Sequence, residues 1–202
     1  MPKMSKQLDL PRCPHCGVDT PTLTAQANCE GSGVLAKYTR YWITYICARC
    51  GGAILAGAPR GHSEAIEIYP SVREAHPDLP ERARAYLQQA IDSQAAPVGA
   101  VMLAASAVDS MLKARGLKTG TLYARIDQAK DENLITSEMA AWAHEVRLDA
   151  NENRHADEAA PMPSVQDAQR AIDFAEALGQ FLFVLPSRVR RGRVGSADEA
   201  AS

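Results

Sequence analysis

No apolar run in the sequence approaches the ~18 residues that a membrane-spanning helix needs, which argues against a spanning protein. The N-terminus, MPKMSKQLDLPRC, lacks the hydrophobic stretch of a secretory signal, so a cytoplasmic protein without a membrane partner is expected. A large excess of one sign of charge is missing as well. Across 202 residues, 22 Lys and Arg face 24 Asp and Glu, and the net charge of −2 gives no global pull toward phosphate backbones or anionic lipid. The bias is local: residues 71–185 hold 11 Lys and Arg against 17 Asp and Glu, residues 1–70 hold 7 against 5, and residues 186–202 hold 4 against 2. An acidic middle repels nucleic acid, so any such binding belongs to the ends or to a local patch. Apolar residues at 46% and charged residues at 23% exclude wholesale disorder, and the length suits one medium domain or two small ones.

Cysteine is absent after position 50. All five lie in the first quarter of the chain, four of them in two C-x-x-C-G units, Cys13 to Gly17 and Cys47 to Gly51. Two residues between thiols, then a glycine free to take positive φ, let a tight turn aim both sulfurs at one ion. Two such units supply the four thiolates of a closed tetrahedral site, and in a reducing compartment this pattern favours zinc over a disulfide. A redox pair would be expected beside a βαβ pattern, which is missing; unmetallated core cysteines are the other alternative. Residues 38–46 are dense in β-branched and aromatic types and read as a strand running into Cys47, with a return strand over 53–56. Residues 13–56 thus resemble a zinc ribbon, with Cys13, Cys16, Cys47 and Cys50 as metal ligands. Cys29 is expected to be a spectator in a polar loop, and His15 and His62 are weaker substitutes for a cysteine. So little apolar mass in residues 1–60 implies that this part folds only with its metal.

From about residue 61 the periodicity becomes helical. The expected fold is mainly α: a small β zinc ribbon over 1–60, a bundle of four to five helices over 61–186, and a disordered basic tail over 187–202. Leu79-Pro80-Glu81 opens the first helix. Pro97 starts a second that is apolar nearly all round and ends at Gly116, the expected bundle centre. A third spans 121–130, Thr136 caps a fourth, and Ser164-Val165-Gln166-Asp167 caps a fifth that Pro186 should stop. On the fourth, Met139, Trp142, Val146 and Ala150 share one side, and His144, Arg147, Asn151 and His155 share the other. Trp142 is therefore expected to be buried. The polar stripe has two readings. His can move a proton near neutral pH and Arg can stabilise developing phosphate charge, a set able to cleave RNA without metal. The alternative is a solvated or frayed helix end that bonds to a neighbouring loop.

Taken in order, Ile68-Tyr69-Pro70, Leu79-Pro80, the alanine-rich stretch Ala104 to Gly116, Leu122 to Lys130, Arg147 through Asn151 to His155, and Ser164 to Ala168 resemble the bacterial domain of unknown function 4145 family, whose members often carry an N-terminal zinc ribbon. Ala150 stands where the family has a glycine, and Ser106 stands where it has an arginine. The family is likened to HEPN helical domains, many of them metal-independent ribonucleases acting as dimers. The resemblance implies a HEPN-like bundle, with Arg147, Asn151 and His155 as the matching positions and Asp109 as a possible holder of Arg147. Seven residues separate Arg147 from His155, more than the HEPN spacing. The leading expectation is an interaction or nucleic-acid-associated accessory factor in a bacterial defence-like setting; the alternative is a HEPN-like ribonuclease. A homodimer through the helical domain is expected, with protein or nucleic acid reached through the ribbon or the basic tail.

Overall fold

A computed structural model describes residues 1–34, 37–155 and 161–199; the side chains of 147–155 and 194–199 lie outside that description. The chain divides into two compact units, Met1–Arg73 and Glu74–Ser202.

The first unit is an antiparallel sheet in the order β1 (Leu23–Gly31), β2 (Arg40–Cys47), β3 (Ala53–Pro59), β4 (Glu67–Tyr69). Strand β2 alternates as a half-buried strand should: Ile43, Tyr45 and Cys47 are buried on one face, while Arg40, Trp42 and Thr44 lie on the other. The N-terminal segment closes the buried face. Leu8 and Leu10 pack on Leu23, Ile43, Tyr45 and Ile54, and the Tyr45 hydroxyl donates to the Ser5 carbonyl at 3.0 Å. The expected boundary at residue 60 falls short of the observed division at 73. The reason is pairing: Leu55 to Gly57 of β3 bond Tyr69 to Glu67 of β4, Lys3 bridges Glu64, and Ala65 is buried in this core. The sheet therefore takes a larger share of the chain than the mainly-α expectation gave it. Cys29, expected in a loop, lies in β1 opposite Trp42. That strand is exposed over most of its length and has no alternation to read; pairing with β2 makes it a strand.

The second unit is helical: α1 (Glu81–Asp92), α2 (Pro97–Ala114), α3 (Leu122–Asp131), α4 (Ser137–His155), α5 (Val165–Gly179), a π-helical segment (Gln180–Val184) and α6 (Leu185–Glu199). Contrary to the expectation that no apolar run would be long enough, the 18 residues of α2 pass by length and composition as a candidate span; in the fold they are the centre of the bundle, packed against α1, α4 and α5. Four buried alanines (100, 104, 105 and 107) let its neighbours approach closely, and Val101, Val108, Met111 and Leu112 fill the space between. The last three segments run on without a break, so the tail expected to be disordered from residue 187 is helical through Glu199. Pro186 does not stop the helix because the turn before it is wound wide. Proline has no N–H, and its ring crowds the carbonyl four residues back. Here the Leu185 N–H already reaches back five residues to the Gln180 carbonyl, so the missing bond falls at a turn that has left the α pattern.

Candidate metal centre and the fourth helix

The two cysteine units fold into matching turns. In the first, Gly17 N–H donates to the Cys13 carbonyl at 2.9 Å and Cys13 N–H to the Val18 carbonyl at 3.0 Å. In the second, Gly51 N–H donates to the Cys47 carbonyl at 2.9 Å and Cys47 N–H to the Gly52 carbonyl at 3.0 Å. Gly17 and Gly51 have φ of +66° and +72°, the left-handed conformation that glycine adopts without strain. One turn precedes β1 and the other joins β2 to β3, so the sheet carries both to one end, where the Ala48 N–H bonds the Thr22 carbonyl at 3.0 Å.

The four Sγ atoms of Cys13, Cys16, Cys47 and Cys50 lie within 4.8 Å of one another, with Cys13 to Cys50 at 3.9 Å. A disulfide needs ~2.05 Å. A tetrahedron with metal–sulfur bonds of ~2.3 Å has edges of ~3.8 Å, so this donor set fits one metal ion. Cys13 and Cys47 are buried, Cys16 is partly buried and Cys50 faces solvent. Crowding spreads their acidities. Burial, with the neighbouring thiols, pushes Cys13 up to about 12. Burial also acts to raise Cys47, but the N–H groups of Cys50 and Arg49 and the thiols of Cys13 and Cys50 outweigh it and bring Cys47 down to about 7. The Gly52 N–H favours the Cys50 thiolate, yet desolvation and the thiols of Cys16 and Cys47 leave it raised. Without a cation, the cluster thus carries its first negative charge readily and the later ones at growing cost.

His15, between the first two cysteines, points its Nε2–H at the Ala53 carbonyl at 2.7 Å. It is a brace between the first turn and β3, and a Cβ at Gly52 would overlap its ring. The C-P-H-C spacing is the only sequence signal of this role. Cys29 stands apart from the cluster on β1.

The fourth helix is turned differently from the wheel expectation. Ala140, Ala143 and Val146 are its buried residues, and Met139 is partly buried. Trp142, expected in the core, is 36% exposed and covers the edge of Phe174 at a ring separation of 5.0 Å. His144 does not project away from the bundle: its Nε2 lies 3.2 Å from Asp127 Oδ1 on α3 and its ring packs on Tyr123 at 4.6 Å. The helical backbone continues through Arg147, Asn151 and His155 at every fourth position. The stripe was expected to pack on a loop over 152–163; residues 152–155 are instead the last turn of α4, and residues 156–160, like the side chains of 147–155, lie outside the described residues.

Asp109, expected to hold Arg147, is occupied on both oxygens: Oδ1 accepts from Arg125 Nε at 3.0 Å and Oδ2 pairs with Lys113 Nζ at 2.6 Å. Arg125 also donates to the Gly120 carbonyl. An arginine on a short amphipathic helix reads as surface, and no sequence signal marks Arg125 as buried.

Residues 83–194 match the family described as Domain of unknown function (DUF4145). No curated protein and no solved structure matches the chain.

Proposed function

The chain belongs to the DUF4145 family, and we propose that it is a non-enzymatic interaction protein in which a structural zinc ion holds the β unit that accompanies the family's helical domain. The observation that carries this reading is the four-thiol cluster. Four sulfurs complete a tetrahedron and leave no position for a substrate or water, which is the arrangement of structural rather than catalytic zinc. Soft thiolate donors in that geometry select zinc over the harder divalent cations, and zinc supplies the fixed positive charge that keeps all four thiols deprotonated. Free thiols of this kind suit a reducing cytoplasm. Near α4, His144 Nε2 is bonded to Asp127, and Asp109 of α2 to Arg125 and Lys113, while His144 Nδ1 is buried without a hydrogen-bond partner. The test is elemental analysis of purified protein. One zinc per chain is expected, unchanged in Cys29→Ser and lost in Cys47→Ser with Cys50→Ser. A metal-free wild type, or zinc retained by the double variant, rejects the reading.

A second reading is favoured by one observation: α4 remains helical through His155, which puts Arg147, Asn151 and His155 on successive turns of one helix. On that reading the protein is a HEPN-like ribonuclease in which His155 transfers the proton, Arg147 stabilises the phosphate charge and Asn151 orients them. Cleavage of single-stranded or structured RNA by the wild type, lost in His155→Ala, supports it; absence of His155-dependent cleavage removes it.

A further inference from the structure

One face of the β unit carries a row of flat groups. On β2 the side chains of Arg40, Trp42 and Thr44 lie opposite the buried face, and Tyr38 continues their alternation on the same side. Arg40 stands between two rings, its guanidinium carbon 5.9 Å from the centroid of Tyr38 and 5.9 Å from that of Trp42. From Trp42 the row crosses the sheet to Tyr69 of β4, at a ring separation of 6.2 Å. Glu67 fixes this turn: it pairs with Arg40 and accepts from the Tyr69 hydroxyl at 3.2 Å. Tyr38 and Tyr69 are 47% and 54% exposed. Trp42 stays partly exposed although one face of its indole rests on Gly57, where a Cβ would come within 2.3 Å of the ring. Strand β1 sets only small, exposed residues beside the row: Ala27 faces Thr44, Cys29 faces Trp42 and Gly31 faces Arg40. Rings held flat on a sheet among small neighbours make a surface for stacking.

We propose that this face binds single-stranded nucleic acid, with bases stacked on Trp42, Tyr69 and Tyr38. The inference rests on the reading of the chain as an interaction protein and names the partner of its β unit. Two observations select this occupant. The first is spacing. The steps of the row, 5.9 to 6.2 Å, exceed the ~3.4 Å rise per nucleotide of a duplex, so bases laid on it are splayed apart, as a single strand allows and a duplex does not. The second is charge. Residues 1–73 carry eight Lys and Arg against five Asp and Glu, whereas residues 74–202 carry 14 against 19. The face follows this bias at its Tyr38 end. Lys37 is exposed there, and the Arg60 N–H bonds the Thr39 carbonyl at 2.8 Å, which brings a third cation beside Arg40. Two carboxylates answer the three cations, Glu67 on Arg40 and Glu30 on Arg60 at 3.3 Å, and the Arg60 side chain is still 69% exposed. A proline-rich peptide could also lie on exposed rings, but it brings no negative charge to this end.

Fluorescence anisotropy of the zinc-loaded full chain with labelled oligodeoxythymidylate and oligouridylate tests it. Binding of one or both, weakening as salt rises, is expected, and the preferred oligomer identifies the sugar. The deoxy oligomer lacks the 2′-hydroxyl, so its binding is read apart from any ribonuclease activity. Trp42→Ala is expected to weaken binding about tenfold or more and Tyr69→Ala about fivefold, while Trp42→Phe keeps most of it because a ring remains. In a Trp142→Phe background the bound oligomer should quench the one remaining indole. Tyr38→Ala with Tyr69→Ala removes two largely exposed rings and keeps the test open if Trp42→Ala loses its zinc. Zinc-loaded protein that binds neither oligomer overturns the proposal and leaves the metal reading in place. Binding unchanged in the double tyrosine variant also overturns it, since the nucleic acid would then lie elsewhere, as on the arginines of α6. So does a polyproline peptide that binds with the same dependence on the rings while the oligomers do not.

Discussion

Arg125 is 7% exposed and is the one charged residue buried among those described. Its cost is met by two acceptors, the Asp109 carboxylate and the Gly120 carbonyl, so the guanidinium ties α3 both to α2 and to the turn that precedes α3. Removing Asp109 leaves the buried guanidinium without its carboxylate, and removing Arg125 strips Oδ1 of its partner while Lys113 keeps Oδ2; either single loss costs more than replacing both partners by apolar groups. Arg125→Ala is therefore expected to destabilise the helical unit by about 3 kcal/mol, and Arg125→Met with Asp109→Leu by clearly less. Urea unfolding of the two variants checks the order; equal losses would mean that Arg125 acts through packing alone. Lys113 holds the second oxygen of Asp109 from a half-exposed position and should matter less. None of this is legible from residue types. The carboxylate on α2 could be singled out in the sequence, but the arginine that answers it could not, because the turn that brings α3 back onto α2 is not encoded in periodicity. Trp142 fails for a related reason. A wheel places it with Met139 and Val146, but the bundle leaves a narrow seam that alanines fill, and the indole is pushed to the rim over Phe174.

Local punctuation was the dependable part of the sequence at the level of elements. Ser164 and Asp167 form the reciprocal cap their spacing announces: Asp167 N–H donates to Ser164 Oγ at 3.2 Å and Ser164 N–H to Asp167 Oδ2 at 2.7 Å. Thr121 caps α3 and Pro97 starts α2 in the same legible way. Proline gave the wrong stop at 186 because a π-turn is a tertiary solution that no propensity describes. The cap of α5 gives a pH-dependent prediction. The Ser164 hydroxyl, then the Ser164 N–H and Arg170, hold the Asp167 carboxyl below its usual range. A carboxylate whose folded pKa is depressed contributes stability above its unfolded pKa of ~3.9, and the contribution is lost as pH falls through the folded value. Ser164→Ala should cost about 1 kcal/mol near neutral pH. The gap between this variant and the wild type should stay constant from pH 5 to 8 and shrink below about pH 4. Thermal melts across that range test the sign; a gap that widens in acid would exclude the Asp167 contribution.

On the scale of the whole molecule, the two units rest on different sources of stability. The helical unit has a continuous core running through α1, α2, α4 and α5. The first unit has a short list of buried side chains around Tyr45, Leu8, Leu23 and Ile54, and the cysteines Cys13 and Cys47 are part of that core. A domain of some 70 residues with so small a core is marginal by itself, and metal binding to a four-thiol site is worth about 10–16 kcal/mol at neutral pH. Stripping the metal should therefore act on one unit only. With a strong chelator, the strand signal and the environment of Trp42, whose indole lies over Gly57 in the sheet, should be lost, while the helical circular dichroism and the melting transition of residues 74–202 persist. Heating the metal-loaded protein should then show two transitions, of which chelation removes one. Gly52→Ala provides the graded version: its new methyl displaces the His15 ring and breaks the brace to Ala53, so the metal should leave faster to a competing chelator while the helical transition stays in place. If chelation instead melts both units together at one temperature, the ribbon and the bundle fold as a single cooperative body, and the metal supports the whole chain rather than its first third.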